Sequence, residues 1–159
     1  MALRFSVEEL RPDDPLVAAV AVLRFDEWGA EEGSTSVLEW EGITRSECRS
    51  DESADSDDEG LPFTLAAKDA DGAVVGAVGL VRHDTEGLGD RSPWVVGTVV
   101  RPDARSLGVG TALMAELHER TRRFDTLWVS TQRAAGFYAR CGYEPVAGHP
   151  TILRRRPAR

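Results

Sequence analysis

The stretch Val99-Val100-Arg101-Pro102-Asp103-Ala104-Arg105-Ser106-Leu107-Gly108-Val109-Gly110-Thr111-Ala112-Leu113 decides how this chain is read. It closes an apolar run, Trp94 to Val100, of the kind buried on both faces of a sheet, which predicts a central strand. Pro102 stops that strand. From Gly108 to Arg123 the residues Val109, Ala112, Leu113 and Leu117 recur at roughly the 3.6-residue helical period, while Glu116, Glu119, Arg120 and Arg123 fall on the water face. A buried strand thus runs through a short turn into a helix that opens Arg-x-x-Gly-x-Gly. Such a turn suits an anion: the first-turn N–H groups lack acceptors, the helix dipole is positive there, and glycine lets a ligand approach the main chain. Arg105 adds charge. Two other phosphate-binding patterns fail on particular residues. A dinucleotide fingerprint needs a third glycine where Leu113 stands, and a Gly-Lys-Ser/Thr loop needs a lysine that this turn lacks.

Working outward, the residues on either side alternate between strand and helix patterns. An opening strand is expected near Leu3 to Val7, then a helix over Pro15 to Trp28 with Val17, Val20, Ala21, Arg24 and Trp28 on one side. A short helix follows over Thr35 to Thr44, where Val37, Leu38 and Trp40 can share a face. Phe63 to Lys68 and Ala73 to Arg82 form a hairpin around Asp69-Ala70-Asp71-Gly72. Beyond the central unit come a strand at Thr126 to Ser130 and a helix at Ala134 to Arg140 ended by Gly142. Tyr143 to Val146 and Thr151 to Arg154 supply the last strands, with His149-Pro150 in the turn between them. The class is α+β, with a mixed, mostly antiparallel twisted sheet of six to seven strands flanked by helices.

Composition narrows the function. A chain of 159 residues with 42% apolar and 29% charged side chains is one ordinary domain, residues 1–159. Its helical first part is 1–60 and its β-rich part 61–154. No run of about 18 apolar residues is present to span a bilayer, and the start lacks the pattern of a secretory signal, so a cytoplasmic protein without membrane contact is expected. Cys48 and Cys141 have no ligand-type neighbours at metal spacing, so neither a disulfide nor a metal is expected. The net charge of -8 argues against nucleic acid and favours a cationic partner. Glu47 to Glu59 holds seven carboxylates against one arginine and reads as a solvated loop.

A second motif lies downstream: Ala135-Gly136-Phe137-Tyr138-Ala139-Arg140-Cys141-Gly142-Tyr143. Together with Arg105-x-x-Gly108-x-Gly110, in this order and spacing, it resembles the GNAT superfamily of N-acetyltransferases over roughly Phe63 to Arg154. The resemblance implies acetyl-CoA as cosubstrate, bound in a cleft where the strand Trp94 to Val100 diverges from Thr126 to Ser130. It implies cofactor contacts at Val99, Val100 and Arg101, with the pantetheine amides pairing with the main chain of Val99 and Arg101. Pyrophosphate contacts fall to the main chain of Leu107, Gly108, Val109, Gly110 and Thr111, and Arg105, Ser106 and Phe137 join the cofactor residues. Tyr138 takes the place of the general acid beside the coenzyme sulfur. Many relatives are dimers, so a homodimer is a possibility the resemblance carries.

Many relatives also place a glutamate on the central strand or the next one, whereas here Trp94 to Val100 has no acid and Ser130 occupies the second place. A base is still needed, because an alkyl amine with a pKa of about 10 is mostly protonated near neutrality. His83 and Asp84, with Glu86, follow the strand Ala73 to Arg82 and are the expected candidates; Glu27 is another. A small, cationic amine is the first acceptor expected, a protein or peptide amine the second. A module that binds acyl-CoA without turnover is the reading outside enzymology.

Overall fold

The computed structural model describes residues 4–50, 60–84 and 88–156. The acidic run 51–59 and Glu86 lie outside the described residues. The elements run β1 (Phe5–Glu9), α1 (Leu16–Trp28), α2 (Val37–Ser46), β2 (Phe63–Asp69), β3 (Val74–Val81), β4 (Trp94–Val100), a 3-10 turn (Pro102–Ala104), α3 (Val109–Arg120), β5 (Leu127–Ser130), α4 (Ala135–Arg140), β6 (Glu144–Val146) and β7 (His149–Arg155). They build one seven-stranded sheet in the order β1-β2-β3-β4-β5-β7-β6. Every pairing is antiparallel except β4 with β5. The expected class and strand number hold. Among the described residues no helix is long and apolar enough to cross a membrane.

Alternation along the strands divides the core between two faces. Leu65, Val78 and Val95 pack with Val109, Leu113, Met114 and Leu117 of α3. Their chain neighbours Ala66 and Ala77, with Val99, pack with Val17 and Val20 of α1 on the opposite face. The sheet is thus a floor between α1/α2 and α3/α4. Small residues let α3 come close: a Cβ on Gly76 of β3 would stand 2.9 Å from Val109 Cγ1 and 3.0 Å from the Val99 carbonyl oxygen.

Of the boundaries that differ from the sequence reading, four have a clear local reason. β1 extends through Glu8 and Glu9 because both carboxylates find cations, Glu8 with Lys68 and Glu9 with Arg49 and Arg120. α2 starts at Val37 because Ser36 caps it, its hydroxyl accepting from the Leu38 N–H at 3.1 Å. That phase turns Leu38 outward at 71% exposure while Trp40 is buried, so the two do not share a face. α3 ends at Arg120, where the Thr121 hydroxyl bonds back to the Leu117 carbonyl at 2.7 Å. His149 pairs with Val146, which puts His149-Pro150 in β7 and leaves Ala147-Gly148 as the turn.

Substituting Gly76→Ala should cost about 1–3 kcal/mol, since the added methyl meets a main-chain oxygen that has nowhere to go. Urea unfolding of the variant against wild type measures it.

Candidate active site

The site begins where β4 loses its neighbour. β4 pairs with β5 only at Trp94↔Trp128 and Val95↔Val129, and beyond Val95 the two parallel strands part. On its other side β4 stays joined to β3 as far as Val100. The register slips there between Ala77 and Gly79, so Gly97 and Thr98 are both accommodated opposite Val78 in a bulge, with Gly97 at φ +61. Val96, Gly97 and Thr98 are accordingly half-buried, not buried on both faces as the apolar run suggested.

Main-chain direction along this cleft follows from one hydrogen bond. Arg101 donates its N–H to the Val75 carbonyl at 2.8 Å, so it faces β3, as does Val99 two residues earlier. The groups turned to the cleft therefore belong to Val100 and Thr98, where the sequence reading had placed them on Val99 and Arg101. The Val100 carbonyl accepts from Arg105 Nε at 3.3 Å.

At the end of β4 the chain turns tightly into α3. Ser106 (φ +66) and Gly108 (φ +87) are both left-handed, and Gly108 caps α3. The first helical bond runs from the Ala112 N–H to the Gly108 carbonyl, which leaves the N–H groups of Val109, Gly110 and Thr111 without an acceptor inside the helix. Leu107 turns its side chain outward. Gly110 is needed where it stands, because a Cβ there would meet the Phe137 ring at 3.1 Å. Arg105 reaches across from this loop to α1, its Nη2 donating to Glu27 Oε2 at 2.8 Å. Glu27 is thus engaged as the ion-pair partner of Arg105.

Tyr138 comes to the same strand from α4. Only 5% exposed, it donates its hydroxyl to Thr98 Oγ1 at 2.9 Å, on the bulge itself. Burial pushes the phenol above its usual range against the opposing effect of the Thr98 bond, so it stays protonated. Its ring lies edge-on to Phe137 and to Tyr143. Tyr143 in turn shares a 2.9 Å hydrogen bond with His118 Nε2 of α3. Burial, and secondarily the Arg155 charge, bring the His118 pKa down to about 4.

The opposite face carries the carboxylates. His83 and Asp84 border a cavity of about 380 Å³ together with Glu47, Ser46 and Arg82. The structure thus brings the two expected residues together, and adds Glu47 at the end of α2. Glu47 accepts from Arg24 Nη1 at 2.8 Å. Arg24 is 1% exposed and also donates to Thr44 Oγ1 (3.0 Å) and, through Nε, to the Gly97 carbonyl (3.2 Å). Burial raises the Glu47 pKa, with Arg24 opposing and Asp84 adding to the rise; burial also raises Asp84. Sequence reasoning assigned Glu47 to the solvated acidic run and Arg24 to the inner side of a helix, and named neither as a site residue. The missing signal was their pairing, which spans 23 residues.

Comparison with known proteins agrees with this geometry. A family-wide model of the acetyltransferase (GNAT) domain matches residues 60–145, more than half of the chain. Among solved structures, an acetyltransferase from Streptococcus agalactiae 2603 superposes with a TM-score of 0.71 at 16% identity, covering 96% of this chain and 98% of that one. A GCN5-related N-acetyltransferase from Kribbella flavida gives 0.69 at 19% identity, with coverage of 96% and 98%. An aminoglycoside 6'-N-acetyltransferase complexed with coenzyme A gives 0.69 at 18% identity, covering 97% and 99%. No curated protein matches the sequence significantly. The chain belongs to the GNAT acetyltransferase family, and its fold is that of these enzymes.

Because the fold holds His118 neutral and the unfolded chain does not, stability should be full above the unfolded histidine value of about 6.5 and fall as pH drops from there toward about 4. Urea midpoints across that range should decline less steeply in His118→Gln than in wild type.

Proposed function

We propose that this protein transfers the acetyl group of acetyl-CoA to a primary amine, with a small cationic amine as acceptor. The observation that carries this reading is the Tyr138 hydroxyl on Thr98, at the point where β4 has left β5 and above a helix that opens an anion cradle. The pyrophosphate would lie on the N–H groups of Val109, Gly110 and Thr111, with Ser106, Leu107 and Gly108 shaping the loop and Arg105 supplying charge. The pantetheine arm would follow β4 along Val100 and Thr98. A coenzyme A complex of a neighbour with this fold supports that choice of cosubstrate.

Chemistry at the bulge needs two proton movements. The amine must reach the thioester neutral, and the departing thiolate is helped by a donor. Tyr138 suits the second role because its buried phenol keeps its proton until a stronger base appears beside it. The first falls on the cavity that Glu47, His83 and Asp84 border on the other face. Carboxylates there also favour an acceptor that arrives as a cation, which supports a cationic amine over a neutral one. A half-buried carboxylate and a protonated phenol on opposite sides of one bulge favour turnover over a coenzyme-binding module without chemistry.

Release of free thiol from acetyl-CoA should appear with one class in a panel of amino sugars, polyamines, amino acids and peptides, and Tyr138→Phe should lower kcat about 100-fold or more with little change in coenzyme affinity. Tight coenzyme A binding without thiol release from any amine would instead identify a binding module.

A further inference from the structure

We propose that Glu47 is the group that takes the proton from the acceptor amine, and that Arg24 positions it by tying the same guanidinium to the carbonyl of the Gly97 bulge. This rests on the acetyl-transfer reading of the site and names the proton acceptor within it. β4 has no acid of its own, so a carboxylate near the bulge comes from another element. Glu47 comes from the end of α2, and its Oε1 lies 3.5 Å from where a Cβ on Gly79 would stand. Gly79 is the ladder partner of Val96, the last residue before the bulge. One guanidinium therefore separates the carboxylate from the main chain at which β4 opens.

The fit around that guanidinium is close. A Cβ at Gly97 would lie 2.5 Å from Arg24 Nη2, so the cation rests directly on the bulge residue. Thr98, the next residue, holds Tyr138 on the opposite face. Proton acceptor and proton donor are thereby referred to two consecutive residues of one strand. Among the described residues, the charged and titratable groups around Glu47 include Arg24 from α1, Arg82, His83 and Asp84 after β3, and the adjoining Cys48. Thr64 of β2 donates its hydroxyl to the Glu47 main-chain carbonyl at 2.9 Å and fixes the end of α2. A glutamate whose pKa is raised by burial is a stronger base than a solvated one, and the Arg24 cation opposes that rise.

The step balances. The ammonium gives one proton to Glu47, and the amine lone pair attacks the thioester carbon. The C–N bond forms as the C–S bond breaks, Tyr138 protonates the thiolate, and the second amine proton returns to Tyr138. The products are the acetamide, free coenzyme A and protonated Glu47.

The test is the pH profile of kcat/KM for the acceptor, by thiol release, in wild type, Glu47→Gln, Arg24→Lys and Arg24→Met, with coenzyme A binding by calorimetry on each. Glu47→Gln should bind coenzyme A as wild type does, lose about 100-fold or more in turnover, and lose the acid limb of the profile. Arg24→Met should move that limb to higher pH, because removing the cation makes the carboxylate harder to ionise. Arg24→Lys should restore part of the shift, since an ammonium keeps the charge but not the planar fork. Glu47→Gln with wild-type turnover and an unchanged acid limb would overturn the proposal while leaving the acetyl-transfer reading intact. Absence of thiol release by wild type with every amine would overturn both. Should the Arg24 variants fail to fold, carboxyl-carbon NMR of wild type decides: Glu47 titrating above the usual glutamate range supports the proposal, and titration within that range overturns it.

Discussion

The loss of pairing between β4 and β5 after Val95 is the constraint on which the site depends. A parallel pair that stayed closed would satisfy the Thr98 and Val100 main chain and leave no room for a ligand. Parting the strands leaves those groups without a ladder partner on one side, and β4 must then be held by β3 alone. The bulge at Gly97 and Thr98 would be a weak point in such a strand. Arg24 counters this by donating to the Gly97 carbonyl from below, although burying a guanidinium costs on the order of several kcal/mol unless it is paired. Thr44 and Glu47 supply that pairing.

The sheet separates the two halves of the proposed chemistry. On the α3/α4 face lie the glycine turn before α3, Phe137 and Tyr138; on the α1/α2 face lie Arg24, Glu47 and the cavity bordered by His83 and Asp84. Side chains on neighbouring strand positions point to opposite faces, so the bulge can address both. Gly97 meets Arg24 and Thr98 meets Tyr138. Arg105 provides a further link, since it joins the cradle loop to the end of α1 through Glu27.

Much of this was legible in the residues. β4 and α3 carry strong, uninterrupted patterns, and their boundaries came out within a few residues of those expected. Tyr138 was legible because it sits in a motif with fixed spacing from the glycine turn. Glu47 was not, because six further carboxylates follow it within twelve residues and the whole run reads as solvated; its pairing with Arg24 appears only in the fold. Arg24 was invisible for a related reason: an arginine on the inner side of a helix has no local signal that distinguishes a buried cation from a snorkelling one. The Leu38 error has another origin. Its neighbours permit either rotation of α2, and the Ser36 cap, not apolar content, sets the phase.

The two rims of the sheet have a consequence for how copies of this chain can meet. β6 is three residues long and has Pro145 at its centre, which offers no N–H to an incoming strand. At the opposite rim β1 carries Glu8 and Glu9, whose carboxylates are engaged by Lys68, Arg49 and Arg120. A strand arriving there would have to disturb ion pairs before forming its first hydrogen bond. Fibre-like growth by adding strands is therefore opposed at both ends.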